Sequence, residues 1–105
     1  MKHRRKSHAL RRRYGRSHTA ARHLAEEALR VAYDNPTIKS LGLVERLYEQ
    51  ASSKANAEGH TADAQRMWSR HEDVAAITPF PVGGESADEA RERARKAIHA
   101  IMEKS

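Results

Sequence analysis

Histidine is the residue type in this chain best suited to metal or proton chemistry, and there are seven. His60 and Asp63 stand three apart, and His71 lies eight residues beyond Asp63. Imidazole and carboxylate together are zinc donors. The sequence argues against that use here. His60 falls in a turn just before a helix start, and His71 sits on an apolar stripe as a partly buried core histidine. His18 and His23 are five apart and so do not share a helix face. No metal site is expected.

Acid and nucleophile chemistry is equally poorly provided for. Glu26-Glu27 and Glu72-Asp73 are adjacent pairs. Neighbours on a helix point about 100° apart, so neither pair is an acid/base dyad. Ser7, Ser17, Ser52, Ser53, Ser69 and Ser86 lack the elbow motif of a serine hydrolase. Gly83-Gly84 lacks the Lys and following Ser or Thr of a phosphate loop. Cysteine is absent, which excludes disulfides, thiolate zinc sites and a thiol nucleophile. The expectation is a non-enzymatic protein without a cofactor.

Phosphate recognition is what the residue types do support. Residues 1–25 carry nine cationic side chains and no acid. They are Lys2, Arg4, Arg5, Lys6, Arg11, Arg12, Arg13, Arg16 and Arg22. Residues 26–105 hold the other 11 cations and all 14 acids, so the +6 of the whole chain is a +9 segment on a body of net −3. Within Arg12-Arg13-Tyr14-Gly15-Arg16, guanidiniums can grip phosphates bidentately while Tyr14 stacks on a base or sugar. Gly15 lets the backbone approach closely. GC-rich coding explains why Arg outnumbers Lys 14 to 6, but not why acids are missing from one end.

Two functions from different classes follow. The first is a nucleic-acid-binding protein whose basic arm contacts the phosphate backbone of DNA or RNA with little sequence specificity, within a nucleoid, virion or ribonucleoprotein assembly. The proposed contacts are the nine cations above and Tyr14. The second is a structural component whose arm threads into an acidic protein partner of a large assembly. Either way a protein partner or homo-oligomer is expected. Homeodomain, AT-hook and zinc-finger patterns are absent. The arm's Lys/Arg clusters would also serve as nuclear-localisation signals, an unspecific match.

The elements that must position these residues are helical. Apolar positions recur at Ala21, Leu24, Ala25, Ala28, Leu29 and Ala32, which predicts a helix over 18–33 capped by Ser17 or Thr19 and stopped by Asn35-Pro36. A second runs from after Pro36, along Ile38, Leu41, Val44, Leu47, Tyr48, Ala51 and Ala55, to a close at Glu58-Gly59. Gly42 is a weak point that offers a later start, with 36–42 as a turn. Thr61 is the expected cap of a third helix with Ala64, Met67, Trp68, His71, Val74 and Ala75 inward. A Pro/Gly linker at 78–85 ends it. Ser86 and Glu89 form a capping box for a fourth helix over 87–103, with Glu89–Arg93 and Glu92–Lys96 as i,i+4 ion pairs.

The predicted architecture is all-α: a basic arm over 1–16, extended or partly helical, then a body over 17–105 of three to four amphipathic helices. Trp68, Leu47, Leu29 and Ile98 are expected to be mostly buried, in the body or in an interface. Tyr48, Tyr33 and Phe80 are expected as core anchors too, with Phe80, held between two prolines, either plugging the bundle or offered to a partner. Leu, Ile, Val and Phe make up only 15 of the 105 residues, while Ala supplies 18, so the core must be small. The longest apolar run is Val74-Ala75-Ala76-Ile77, far short of a membrane span or a signal-peptide core. No membrane association and an intracellular or virion location, without secretion through a signal peptide, are expected.

Overall fold

A computed structural model describes residues 17–104 of the chain. Among these, four helices and no strand are found, and 78% of positions are helical. They are α1 (His18–Asp34), α2 (Ile38–Ala57), α3 (Thr61–Ala75) and α4 (Ala87–Glu103). The all-α prediction and its three breaks are thus met. No helix among the described residues is long and apolar enough to cross a membrane.

Local chemistry sets the ends. Pro36 stops α1, because the residue before proline disfavours the helical region. Thr37 then caps α2 in a reciprocal box: Ser40 N donates to Thr37 Oγ1 at 2.9 Å and Thr37 N donates to Ser40 Oγ at 2.9 Å. A cap of this kind contributes about 1 kcal/mol. That offsets the roughly 1 kcal/mol cost of Gly42 inside the helix, so α2 begins at Ile38 and no turn occupies 36–42. At the other end of the chain, Ser86 accepts from Glu89 N at 3.1 Å and Glu89 accepts from Ser86 N at 3.1 Å, the box expected from the sequence.

α3 packs along α2, α1 lies on the same helix, and α4 crosses onto α1 with a smaller contact to α3. The core runs through Ala25, Leu29, Leu41, Val44, Tyr48, Met67, Val74 and Ile98. Tyr48 is its largest fully buried side chain. Alanines at 25, 32, 51, 90 and 94 are fully buried on α1, α2 and α4, where their small size lets backbones approach closely. Ser52 Oγ donates to Ala64 O at 2.8 Å and His71 Nδ1 meets Glu45 O at 2.9 Å, tying α3 to α2. A carbonyl only accepts, so Nδ1 carries the proton in that bond.

Several inward positions turn out otherwise. Trp68 is 46% exposed, not buried. α3 meets its neighbours along Ala64, Met67, His71 and Val74, a spacing of three and four. Trp68 lies one residue round from Met67 and is carried to the flank, where it stacks on His71 with ring centroids 4.7 Å apart. Ala75 is exposed for the same reason. Ile38, in the first turn of α2, is 70% exposed because it precedes the stretch that α1 covers. Leu29 and Ile98 are buried as expected, and Leu47 and Tyr33 are partly buried against the core. Phe80 is about half exposed on its loop and does not plug the bundle.

Neither expected i,i+4 pair forms: Arg93 does not meet Glu89, and Glu92 meets Arg95 in place of Lys96. Glu89 is committed to the cap, and Arg93 turns back to the 78–85 loop. Its Nε donates to Glu85 Oε2 and its Nη2 to Oε1, both at 2.9 Å, while Nη1 donates to Thr78 O at 2.9 Å and Nη2 to Phe80 O at 3.1 Å. Glu92 pairs with Arg95 at 3.8 Å, and Arg95 also donates to the carbonyls of Tyr33 and Asp34, closing the C-terminal end of α1. These guanidiniums are spent on holding the loop and α1.

The hydrogen bonds from Arg93, and then that from Val82 N, hold the Glu85 carboxyl below its ordinary value of 4.5. A carboxyl whose pKa falls on folding stabilises the fold above its unfolded value, and the contribution is lost as pH drops through the folded value. Wild type should therefore melt above Glu85→Gln at neutral pH, and the gap should close on acidification through 4.5 and below. Thermal melts of both proteins across that range check this. A gap that stays constant shows that the pair does not contribute in this way.

Candidate functional site

The connection between α2 and α3 gathers chemically capable side chains in a few residues. Gly59 adopts φ 82, and His60 N donates to Ala55 O at 2.8 Å while Gly59 N donates to Asn56 O at 3.1 Å. This is the Schellman closure of a helix, which needs a residue tolerant of the left-handed region. It leaves His60, not Thr61, as the cap of α3, with His60 O accepting from Ala64 N at 2.9 Å. The consequence is that Glu58, His60 and Asp63 all emerge on one tight corner.

His18, the first residue of α1, is packed into that corner and only 8% exposed. Its backbone N–H donates to Glu58 Oε2 at 3.0 Å, which satisfies one of the unpaired donors at the start of α1. Its Nδ1 lies 2.8 Å from Glu58 Oε1 and its Nε2 3.2 Å from Asp63 Oδ2. The His60 ring leans over it, with centroids 4.6 Å apart and planes at 39°. Arg66 Nη2 braces Asp63 from outside at 2.9 Å. The side-chain hydrogen bond from His18 is the main cause that lowers the Glu58 carboxyl from its ordinary 4.5. Each ring nitrogen of His18 therefore faces a carboxylate oxygen.

Next to this corner, between α1, α2 and α3, is a cavity of about 300 Å³ lined by Arg22, Glu26, Tyr48, Arg66, Arg70 and Lys104, among others. Arg22 pairs with Glu26 at 3.5 Å and is 37% exposed. The Tyr48 hydroxyl is buried, and among the described residues no hydrogen bond of ordinary length and angle reaches it, the Arg70 guanidinium being its polar neighbour. Burial, and next the charge of Glu26, push the phenol's pKa up, while nearby Arg70 and Arg22 pull the other way.

Of the residues expected to touch nucleic acid, only Arg22 falls within the described part. Lys2, Arg4, Arg5, Lys6, Arg11, Arg12, Arg13, Tyr14 and Arg16 lie outside the described residues. The corner around His18 was not expected. His60 and Asp63 are brought together as their spacing allows, but His71 is engaged with α2 and the partner that completes the cluster is His18, more than 40 residues away in the chain. The Glu58-Gly59 helix stop is the local signal that places half of the site, and no local signal exists for His18. No protein family model, curated protein or solved structure matches this chain.

Proposed function

We propose that this chain is a non-enzymatic nucleic-acid-binding protein, a component of a nucleoprotein assembly, whose N-terminal arm neutralises the phosphates of DNA or RNA. The observation that carries the proposal is the charge segregation: nine Lys and Arg with no acid in residues 1–25, against a net −3 over the rest of the chain. Such a segment is repelled by nothing on a polyanion, and each phosphate it neutralises releases condensed counterion.

The body adds support where the arm joins it. The arm runs into Ser17, and Arg22 stands one turn beyond the start of α1, on the cavity that Arg66, Arg70 and Lys104 also line. Arg22's pairing with Glu26 is partly exposed, and surface pairs of this kind contribute little, so a phosphate can compete for the guanidinium. Arg93 and Arg95 are excluded from the contact surface by their structural bonds.

The test is fluorescence anisotropy of the full chain on labelled duplex DNA and on RNA over a range of salt. About six phosphate contacts on a duplex give a slope of log K against log salt near −5. A slope near zero removes the phosphate mechanism. Failure to bind either nucleic acid at low salt overturns the proposal and moves the arm's target to an acidic protein.

A further inference from the structure

The corner around His18 carries an inference independent of nucleic-acid binding. We propose that His18, Glu58 and His60 form a binding site for a divalent transition metal with the preferences of zinc, with Asp63 orienting the His18 ring. One donor atom from each of the three lies within 4.8 Å of the others. Two imidazoles and one carboxylate are a zinc donor set, and three protein donors leave a fourth position for water.

The bonding around His18 assigns the atoms. Nδ1 faces Glu58 Oε1 at 2.8 Å, and the metal takes the place of the proton between them. Nε2 keeps its proton and donates it to Asp63 Oδ2 at 3.2 Å. A metal-bound imidazole whose other nitrogen donates to a carboxylate is the usual way proteins fix ring orientation and raise ligand basicity. Asp63 is in turn fixed by Arg66 at 2.9 Å, so the orienting carboxylate is itself held. His18 is buried and therefore placed before any ion arrives, whereas Glu58 and His60 are exposed, which leaves room for their side chains to close on it. Donors around a tetrahedral zinc, each about 2.0–2.2 Å from the ion, stand about 3.3–3.5 Å apart, so no pair has to close by more than roughly 1.4 Å.

The bound ion would pin the first residue of α1 to the α2–α3 corner and replace a proton-mediated tie with three coordinate bonds. Binding to the folded state alone raises its stability by mass action. His60 separates this site from a purely structural histidine–carboxylate tie. It is exposed, makes no hydrogen bond through its ring among the described residues, and is not required for the bonds of His18 to Glu58 and Asp63.

The experiment uses the full chain stripped with a chelator and then given zinc sulfate, with the melting midpoint and calorimetric binding as readouts. Cobalt(II) visible absorption serves as a second probe of a four-coordinate site. Wild type is expected to bind one equivalent and to melt at a higher temperature with zinc than without. His60→Ala should melt like wild type when stripped, yet lose the zinc-dependent rise and the cobalt band. Asp63→Asn should keep the site but weaken zinc about 10–100-fold, the usual effect of removing an orienting partner. Equal zinc-dependent rises in wild type and His60→Ala overturn the proposal, because the metal is then held elsewhere, for instance by histidines of residues 1–16. No rise in wild type with zinc in excess overturns it as well.

Discussion

Tyr48→Ala is expected to cost about 3–5 kcal/mol, the range for deleting a large buried aromatic side chain. Tyr48 is fully buried on α2, against α1 on one side and α3 on the other. A small domain has roughly 5–15 kcal/mol of stability in total, and this one has few large apolar residues with which to exceed the lower end. The variant should therefore be largely unfolded at physiological temperature. Tyr48→Phe separates the ring from its hydroxyl. That hydroxyl makes no hydrogen bond of ordinary length and angle among the described residues, with only the Arg70 guanidinium beside it, and a buried polar group left without a good bond costs about 1–3 kcal/mol. Removing it should leave the midpoint unchanged or raise it. Trp68→Ala, by contrast, should cost about 1 kcal/mol or less, since the ring is half exposed and, among the described residues, its one ring contact is with His71. Urea unfolding followed by circular dichroism compares the three. A Trp68→Ala loss as large as that of Tyr48→Ala would put Trp68 in the core and contradict its flank position.

Deleting residues 1–16 is expected to abolish nucleic-acid binding while leaving the melting curve nearly unchanged. The deletion removes eight of the nine cations in the acid-free segment, keeping only Arg22. Losing six phosphate contacts forfeits the whole counterion-release contribution, which supplies essentially all sequence-independent affinity. The deletion keeps every described core residue, from Ala20 on, and the bonds of Ser17 and His18 at the start of α1. Tyr14→Ala should cost less, about 1–3 kcal/mol, and should do so only where an unpaired base is free to stack. Anisotropy of wild type and truncation on labelled duplex DNA and RNA, at low and moderate salt, reads both effects. Equal binding by the two proteins places the contact on the body, at the cavity beside Arg22, and rejects the arm.

The sequence by itself determined the helices and most of their ends, because those depend on neighbours in the chain. Pro36 stops α1, Gly59 closes α2 through its positive φ, and Ser86 with Glu89 opens α4 through bonds three residues apart. It also determined the inward faces wherever an apolar stripe was unambiguous, as at Leu29 and Ile98, and it determined the charge segregation on which the functional proposal rests. The start of α2 at Ile38 was less legible, since the Thr37–Ser40 box competes locally with Gly42 and the balance is within about 1 kcal/mol.

Only the tertiary structure decided which of two adjacent residues on a stripe faces a neighbour. Met67 and Trp68 are both apolar, but α3 has one main partner, α2, and a single contact line buries one of the two. Likewise Arg93 had an acid four residues away on its own helix, yet the loop returned Glu85 and two carbonyls to it in better geometry. The His18 corner is the clearest case. Glu58, His60 and Asp63 are neighbours because a Schellman turn makes them so. His18 joins them from across the chain because α1 packs on α2 with its first residue level with that turn. Helix periodicity repeats every few residues and can be read from order alone. The axial register between two packed helices is set by how their side chains interlock, and no local pattern encodes it.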